Sequence, residues 1–159
     1  MATATATADR IGAYRIEGEL GRGAFGVVYR AHAISRPDAP VALKVVENRG
    51  NLDRLMLEPA LLSELHHPCI VRLEDYFLDG DRLALALELI KGDDLKTCLD
   101  RGETFGQAEV RDLLVQMAGA LAEAHTHSVV HRDIKLSNIL VDRTAGRTRF
   151  VLTDFGIGR

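Results

Sequence analysis

Through the first half of the chain, apolar residues alternate with polar ones or gather in short runs broken by glycine and charge, the pattern of strands. Tyr14–Leu20 and Val27–Ala31 flank a glycine-rich turn, and Val41–Val46 is a third run after a polar connection over Ile34–Pro40. Leu73–Leu78 and Leu83–Leu89 flank Asp79-Gly80-Asp81, and an Asp-Gly pair between apolar runs predicts a hairpin. Leu83, Leu85, Leu87 and Leu89 recur at every second position, which puts them on one face of a strand. One helix is expected between the third and fourth strands.

The second half changes period. Asp94–Asp100 reads as a short helix closed by Gly102. Gln107 to about His125 is the clearest helix, with Gly106 as N-cap, Glu109 three residues on, and Phe105 and Val110 placed for a hydrophobic staple. Val110, Leu113, Leu114, Met117, Ala118, Leu121 and Ala124 recur at helical spacing and predict its core-facing stripe. Ile139–Val141 and Phe150–Thr153 read as two short strands around a turn over Asp142–Thr148. The fold class is α+β: a small antiparallel five-stranded sheet with one helix, then a mostly helical part.

Composition narrows the picture. The 159 residues are one domain's worth, 47% are hydrophobic, and the net charge of −3 gives no sign of a nucleic-acid or anionic-membrane partner. No apolar run reaches the ~18 to 20 residues a membrane-spanning helix needs. Residues 1–10, mostly an Ala/Thr alternation, read as a disordered leader. Cys69 and Cys98 form no C-x-x-C and read as buried free thiols, which fits a reducing cytoplasm.

The chemistry sits in four motifs. His131-Arg132-Asp133-Ile134-Lys135-Leu136-Ser137-Asn138 puts a carboxylate, a lysine and a carboxamide on one short loop, and Asp154-Phe155-Gly156 follows sixteen residues after Asn138. Phosphoryl transfer from ATP needs a group to orient the attacking hydroxyl and oxygen ligands for Mg²⁺. Upstream, Gly21-Arg22-Gly23-Ala24-Phe25-Gly26-Val27-Val28 supplies glycines that let backbone N–H groups approach phosphates. No Gly-Lys-Ser/Thr follows, so the phosphate lysine must come from elsewhere; Lys44, within apolar Val41-Ala42-Leu43-Lys44-Val45-Val46, is the candidate. A lone G-x-G-x-x-G is weak, but the four motifs in this order leave little room for chance.

These motifs, with the opening Tyr14-Arg15-Ile16-Glu17-Gly18-Glu19-Leu20-Gly21, make the chain resemble the eukaryotic-type protein kinases, most closely their bacterial serine/threonine branch. The resemblance runs from about Ile11 to Arg159 and covers the first half or so of the family's domain. It implies an ATP-binding N-lobe over 11–90 and the start of a helical C-lobe over 91–159, with the remainder absent.

Residue by residue, the resemblance implies that Asp133 orients the substrate hydroxyl, Lys135 steadies the transferring phosphoryl group, and Asn138 and Asp154 ligate Mg²⁺. Lysine two residues after Asp133 is the serine/threonine form; Leu136 stands where that branch commonly has proline. Gly21, Gly23 and Gly26 would cover the phosphates. Leu20, Val28, Ala42, Val71, Leu87 and Leu140, with Thr153 behind, would line the adenine slot; the backbone of Glu88 and Ile90 would bond the adenine edge and Asp94 would reach the ribose. Lys44 would pair with Glu58, Glu64 being the alternative. Pro59 directly after Glu58 predicts a helix beginning at Pro59, with Glu58 at its N-cap.

The implied function is Mg-ATP-dependent phosphorylation of Ser/Thr hydroxyls on protein substrates. Two alternatives stand beside it. One is a nucleotide-binding or interaction module that transfers no phosphate, because the activation segment and substrate-binding helices are missing. The other is a small-molecule kinase of similar fold. If three or four of Val110, Leu113, Leu114, Met117 and Leu121 lack cover, burial worth roughly 5–12 kcal/mol is lost, comparable to a domain's whole stability. The bare face would then favour self-association or a partner polypeptide.

Overall fold

The computed structural model describes residues 10–23, 26–47 and 52–155, and divides into two compact units, 1–51 with 74–89 and 52–73 with 90–159. The expected leader, apart from Arg10, and Gly156 lie outside the described residues.

The first unit is built on a six-stranded antiparallel sheet in the order β1-β2-β3-β4-β6-β5. Its strands are β1 (Arg10–Ile11), β2 (Tyr14–Gly23), β3 (Gly26–Ala33), β4 (Arg36–Glu47), β5 (Leu73–Asp79) and β6 (Arg82–Glu88). The five expected strands are present and β1 is additional. Arg10, read from sequence as the end of the leader, pairs with Arg15. The connection expected over Ile34–Pro40 shrinks to a two-residue turn, because Ala33 pairs with Arg36 and Pro40 with His32. Pro37 and Pro40 are tolerated there because pairing between β4 and β6 begins only at Val41.

Period-two alternation sorts the side chains onto two faces. Val41, Leu43 and Val45 of β4 join Ala84 and Ala86 of β6 in a core with Ile11, Tyr14, Ala31 and Ala33. Tyr14 stacks on Phe77, ring centroids 5.7 Å apart, and Gly12, at φ 54°, leaves room for the Phe77 ring. The opposite face carries Val28, Ala42, Lys44, Leu85 and Leu87, linked through the pairs Val28–Lys44, Lys44–Leu85 and Ala42–Leu87.

The second unit holds α1 (Leu52–Ser63), α2 (Leu95–Asp100), α3 (Gln107–Thr126), a 3-10 turn (Leu136–Asn138) and the hairpin of β7 (Ile139–Asp142) with β8 (Arg149–Leu152). The helix expected to begin at Pro59 begins instead at Leu52 and runs through the proline. Proline removes one hydrogen bond from a helix interior; burial of the Pro59 ring offsets part of that loss.

The buried face of α3 is rotated from the stripe read in the sequence. Ala120 and Ala124 are fully buried, whereas Val110, Leu114 and Val115 are 43%, 65% and 66% exposed. Leu113, Met117 and Leu121 are half-buried. The cause is polar: Gln116 faces inward, its Oε1 accepting from Phe150 N–H at 2.9 Å and the Cys69 thiol at 3.3 Å, its Nε2 donating to Thr148 O at 3.2 Å. It thereby ties α3 to β8. Phe105, expected to staple against Val110, packs towards Phe150, centroids 6.1 Å apart, and Val110 is 43% exposed. Glu109 does reach back to Gly106 N–H, at 3.1 Å. Both cysteines are free and buried, and burial pushes both thiols up.

Candidate active site

In the second unit, α3 ends in a turn that aims the chain at the site. Ser128 takes a left-handed φ of 60°, and its N–H and that of Val129 bond back to His125 O and Ala124 O at 3.0 and 2.9 Å. Val129 is buried there. The loop His131–Asn138 follows and closes on itself. Asn138, 3% exposed, donates from Nδ2 to Asp133 O at 2.7 Å and to Asp133 Oδ2 at 3.2 Å. Lys135 Nζ donates to the same Oδ2 at 2.7 Å. Three of the four expected catalytic-loop and metal positions are thus hydrogen-bonded together.

The fourth, Asp154, is brought to them by β8. Thr153 N–H donates to Asn138 O at 2.9 Å, and Asp154 follows with a left-handed φ of 60°. β8 is held from a second side by the segment before β5: Leu152 N–H donates to Cys69 O at 2.8 Å and Val71 N–H to Leu152 O at 2.9 Å. Arg132, next to Asp133, is also left-handed at φ 64°. Non-glycine residues in that region cost about 1–3 kcal/mol each and gather at functional sites.

His131 lies between the two strained positions. Its Nε2 is 2.8 Å from Thr153 O and its Nδ1 is 3.2 Å from Asp133 N. A carbonyl only accepts and an amide N–H only donates, so Nε2 carries the proton and Nδ1 accepts. Burial pushes the imidazole pKa down, which keeps this neutral tautomer. Phe155 packs on the ring at 4.6 Å between centroids.

Asp94 has a structural role that sequence reasoning missed. It is the N-cap of α2, Oδ1 accepting from Thr97 N–H at 2.9 Å and Oδ2 from Thr97 Oγ1 at 2.6 Å. An Asp three residues before Thr97 was the available signal. Asp94 also bridges Leu140, which places those two expected nucleotide-site residues side by side; Val141 N–H bonds to Asp93 O at 2.9 Å. Ile90 is buried in the same unit. The Cβ of any larger residue at Gly92 would overlap the Val141 carbonyl oxygen.

The first unit brings together another expected set. Lys44 is 6% exposed and shares its sheet face with Val28, Ala42 and Leu87. Gly21 pairs with Val28, and Gly23 with Gly26 where β2 turns into β3. Gly26, at φ 140°, packs its bare Cα against the Val45 carbonyl, so this glycine is required by packing as well as by any ligand. Leu20 lies at a register shift in β2 and is exposed, and Glu88 pairs with Val41 at the end of β6. Glu58 falls within α1; its side chain lies outside the described residues.

The donor set suits the groups these residues are expected to hold. The described bonds of Asn138 use its nitrogen; its Oδ1 is a neutral hard oxygen and Asp154 carries a carboxylate, donor types that Mg²⁺ takes. The face around Lys44 combines one ammonium with aliphatic side chains, as a nucleotide site does.

The protein kinase domain model matches residues 14–159. The serine/threonine-protein kinase PkaA of Streptomyces coelicolor is 38% identical over 161 residues, covering 92% of this chain and 30% of PkaA; PkaB of the same organism is 35% identical, covering 88% and 35%. The chain thus spans about a third of the length of these relatives. Among solved structures, the kinase domain of Mycobacterium tuberculosis PknI superposes with a TM-score of 0.80 at 28% identity, over 94% of this chain and 62% of that one. Rad53 in complex with AMP-PNP superposes with a TM-score of 0.82 at 28% identity, over 91% and 38%. Because the family model matches residues 14–159, nearly the whole of this chain, the chain belongs to the protein kinase family.

Proposed function

We propose that this chain is the nucleotide-binding and catalytic-loop portion of a serine/threonine protein kinase, which binds Mg-ATP and transfers the γ-phosphoryl group to Ser or Thr hydroxyls of protein substrates. The single observation that carries the reading is the Asp133 carboxylate, bonded by both Lys135 Nζ and Asn138 Nδ2. Such a carboxylate is fixed in direction, which a group receiving a hydroxyl proton requires.

The roles follow from chemistry. Asp133 orients the acceptor hydroxyl and takes its proton. Lys135, half-exposed beside it, neutralises charge on the phosphoryl group in transit. Lys44 holds the α- and β-phosphates, with Glu58 as its carboxylate partner. Gly21, Gly23 and Gly26 let the backbone close over the phosphates. Leu20, Val28, Ala42, Val71, Leu87 and Leu140 enclose the adenine, and the backbones of Glu88 and Ile90 bond its edge. Asp94, already capping α2, presents its carboxylate towards the ribose. Asn138 and Asp154 would ligate Mg²⁺, which supplies charge neutralisation and a fixed phosphate geometry. Buried free thiols suit a reducing compartment, and no helix among the described residues is long and apolar enough to cross a membrane.

The test is transfer of labelled phosphate from ATP to a generic acceptor protein, by wild type and by Asp133→Asn. Transfer that disappears in the variant supports the reading. A second reading is favoured by the exposed Val110, Leu114 and Val115: a nucleotide-binding module whose α3 face docks another polypeptide. Thermal stabilisation by ATP without transfer in either protein would favour it.

A further inference from the structure

The residues read as metal ligands come from two pieces of chain. Asn138 stands on the loop that follows α3, and Asp154 stands just past the end of β8. β8 is four residues long and belongs to a two-stranded sheet, an arrangement that is marginal by itself. Its alignment therefore depends on what holds the edge away from β7, where alternate backbone groups point. Leu152 N–H donates on that edge to Cys69 O at 2.8 Å, and Leu152 O accepts from Val71 N–H at 2.9 Å. The next amide in the row, that of Phe150, goes to a side chain: it donates to Gln116 Oε1 at 2.9 Å.

A carboxamide suits that place because it both accepts and donates. The Gln116 oxygen also takes the Cys69 thiol at 3.3 Å, and its nitrogen donates to Thr148 O at 3.2 Å. Cys69 is bonded to β8 through its carbonyl and to Gln116 through its sulfur, so three pieces of chain meet at one side chain. Further along β8, Thr153 N–H reaches Asn138 O at 2.9 Å, and Asp154 is the next residue.

We propose that Gln116 is a positioning residue. By fixing β8 against the helix that leads into the Asp133–Asn138 loop, it sets where Asp154 stands relative to Asn138, and with it the affinity for Mg²⁺. The link to Mg²⁺ rests on the reading above of Asn138 and Asp154 as its ligands; the alignment of β8 does not. An aliphatic residue at 116 fills the space but lets the strand shift at Phe150, and extended backbone carries that shift on to Asp154.

Two readouts test this, both taken where melting curves show each protein folded. The first is the Mg²⁺ concentration for half-maximal binding of a fluorescent ATP analogue, set beside the affinity for adenosine, which has no phosphate for a metal to hold. Loss of a direct outer partner of a metal ligand costs roughly 10- to 100-fold; Gln116 acts through a strand, so Gln116→Leu should raise the Mg²⁺ requirement at least about fivefold and move adenosine less than about twofold. Gln116→Glu, which keeps the acceptor for Phe150 N–H, should recover most of the loss. The second is amide exchange without nucleotide. Thr153 N–H should exchange at least about fivefold faster in Gln116→Leu, while Arg101 N–H, bonded to Thr97 O in α2, keeps its rate. An unmoved Mg²⁺ requirement, an equal loss of adenosine, no recovery in Gln116→Glu, or unchanged Thr153 exchange overturns the proposal. Should Gln116→Leu not fold, Gln116→Met, unbranched as glutamine is, takes its place. If the wild type binds no analogue, the ATP reading fails, and Thr153 exchange alone decides whether Gln116 aligns β8.

Discussion

His131 and Thr153, twenty-two residues apart, are joined by a hydrogen bond of 2.8 Å from imidazole Nε2 to carbonyl oxygen. The other ring nitrogen takes Asp133 N–H at 3.2 Å, so one neutral side chain fixes the backbone just before Asp154 and just after Arg132. Its replacement by phenylalanine keeps the packing on Phe155 but leaves a half-buried N–H and a half-buried C=O without their ring partner. At about 1–3 kcal/mol each, His131→Phe should lose roughly 2–6 kcal/mol in urea unfolding, and His131→Gln, which keeps a donor, clearly less.

The same residue sets a pH dependence. Its folded pKa is depressed by burial, so below its ordinary value of 6.5 the unfolded chain takes up a proton that the folded one refuses. Stability is therefore full above pH 6.5 and declines as pH falls from there towards the folded value. A second loss comes lower. Burial pushes Asp142 up, but bonds from the Thr144 hydroxyl and N–H and from Arg149 outweigh it and hold the carboxyl below its ordinary 3.8. That contribution is present above pH 3.8 and lost as pH falls through the folded value. Urea midpoints from pH 8 to pH 3 should show both declines, and His131→Gln should flatten the upper one.

Gln116 is a polar residue whose loss should cost more than that of its apolar neighbours. Gln116→Leu keeps the volume but strands Phe150 N–H and Thr148 O. A loss of about 2–4 kcal/mol is expected, against less than about 1 for Leu114→Ala on the exposed face. Chemical denaturation of the two variants side by side checks the ranking.

Gly92→Ala should be among the most damaging small substitutions in the second unit. The new methyl would overlap the Val141 carbonyl, whose N–H is already tied to Asp93 O. We expect at least about 2 kcal/mol of destabilisation, read as a lower thermal midpoint, since backbone cannot yield as a flexible side chain can.

Asn138→Ala separates architecture from ligand binding. It removes the donor to Asp133 O and, on the proposed reading, one oxygen ligand. The Mg²⁺ concentration needed for half-maximal binding of a fluorescent ATP analogue should rise at least about tenfold, while Asn138→Asp, which restores an oxygen, should recover part of it.

Much of this was legible in the sequence because strand alternation and motif order are local. Period two puts Ala42 and Lys44 on one face of β4, whereas Val28 and Leu87 were expected beside them only through the family resemblance; the register pairs Val28 with Lys44 and Leu87 with Ala42. What was not legible depended on partners far along the chain. The stripe on α3 was read from apolar spacing, yet its orientation is set by Gln116, whose targets lie on and just before β8. The helix through Pro59 escaped a local rule because burial of the ring offsets part of what the missing N–H takes away. Asp94 was read for its chemistry and turned out to cap the helix that it precedes.

The left-handed backbone at Arg132 and Asp154 has a consequence for anyone who selects heat-resistant variants. Glycine relaxes both positions, so such a screen would enrich Arg132→Gly and Asp154→Gly among its winners. Of the two, only the first keeps a carboxylate at residue 154, so counting survivors by melting temperature would reward sequences that have discarded the chemistry.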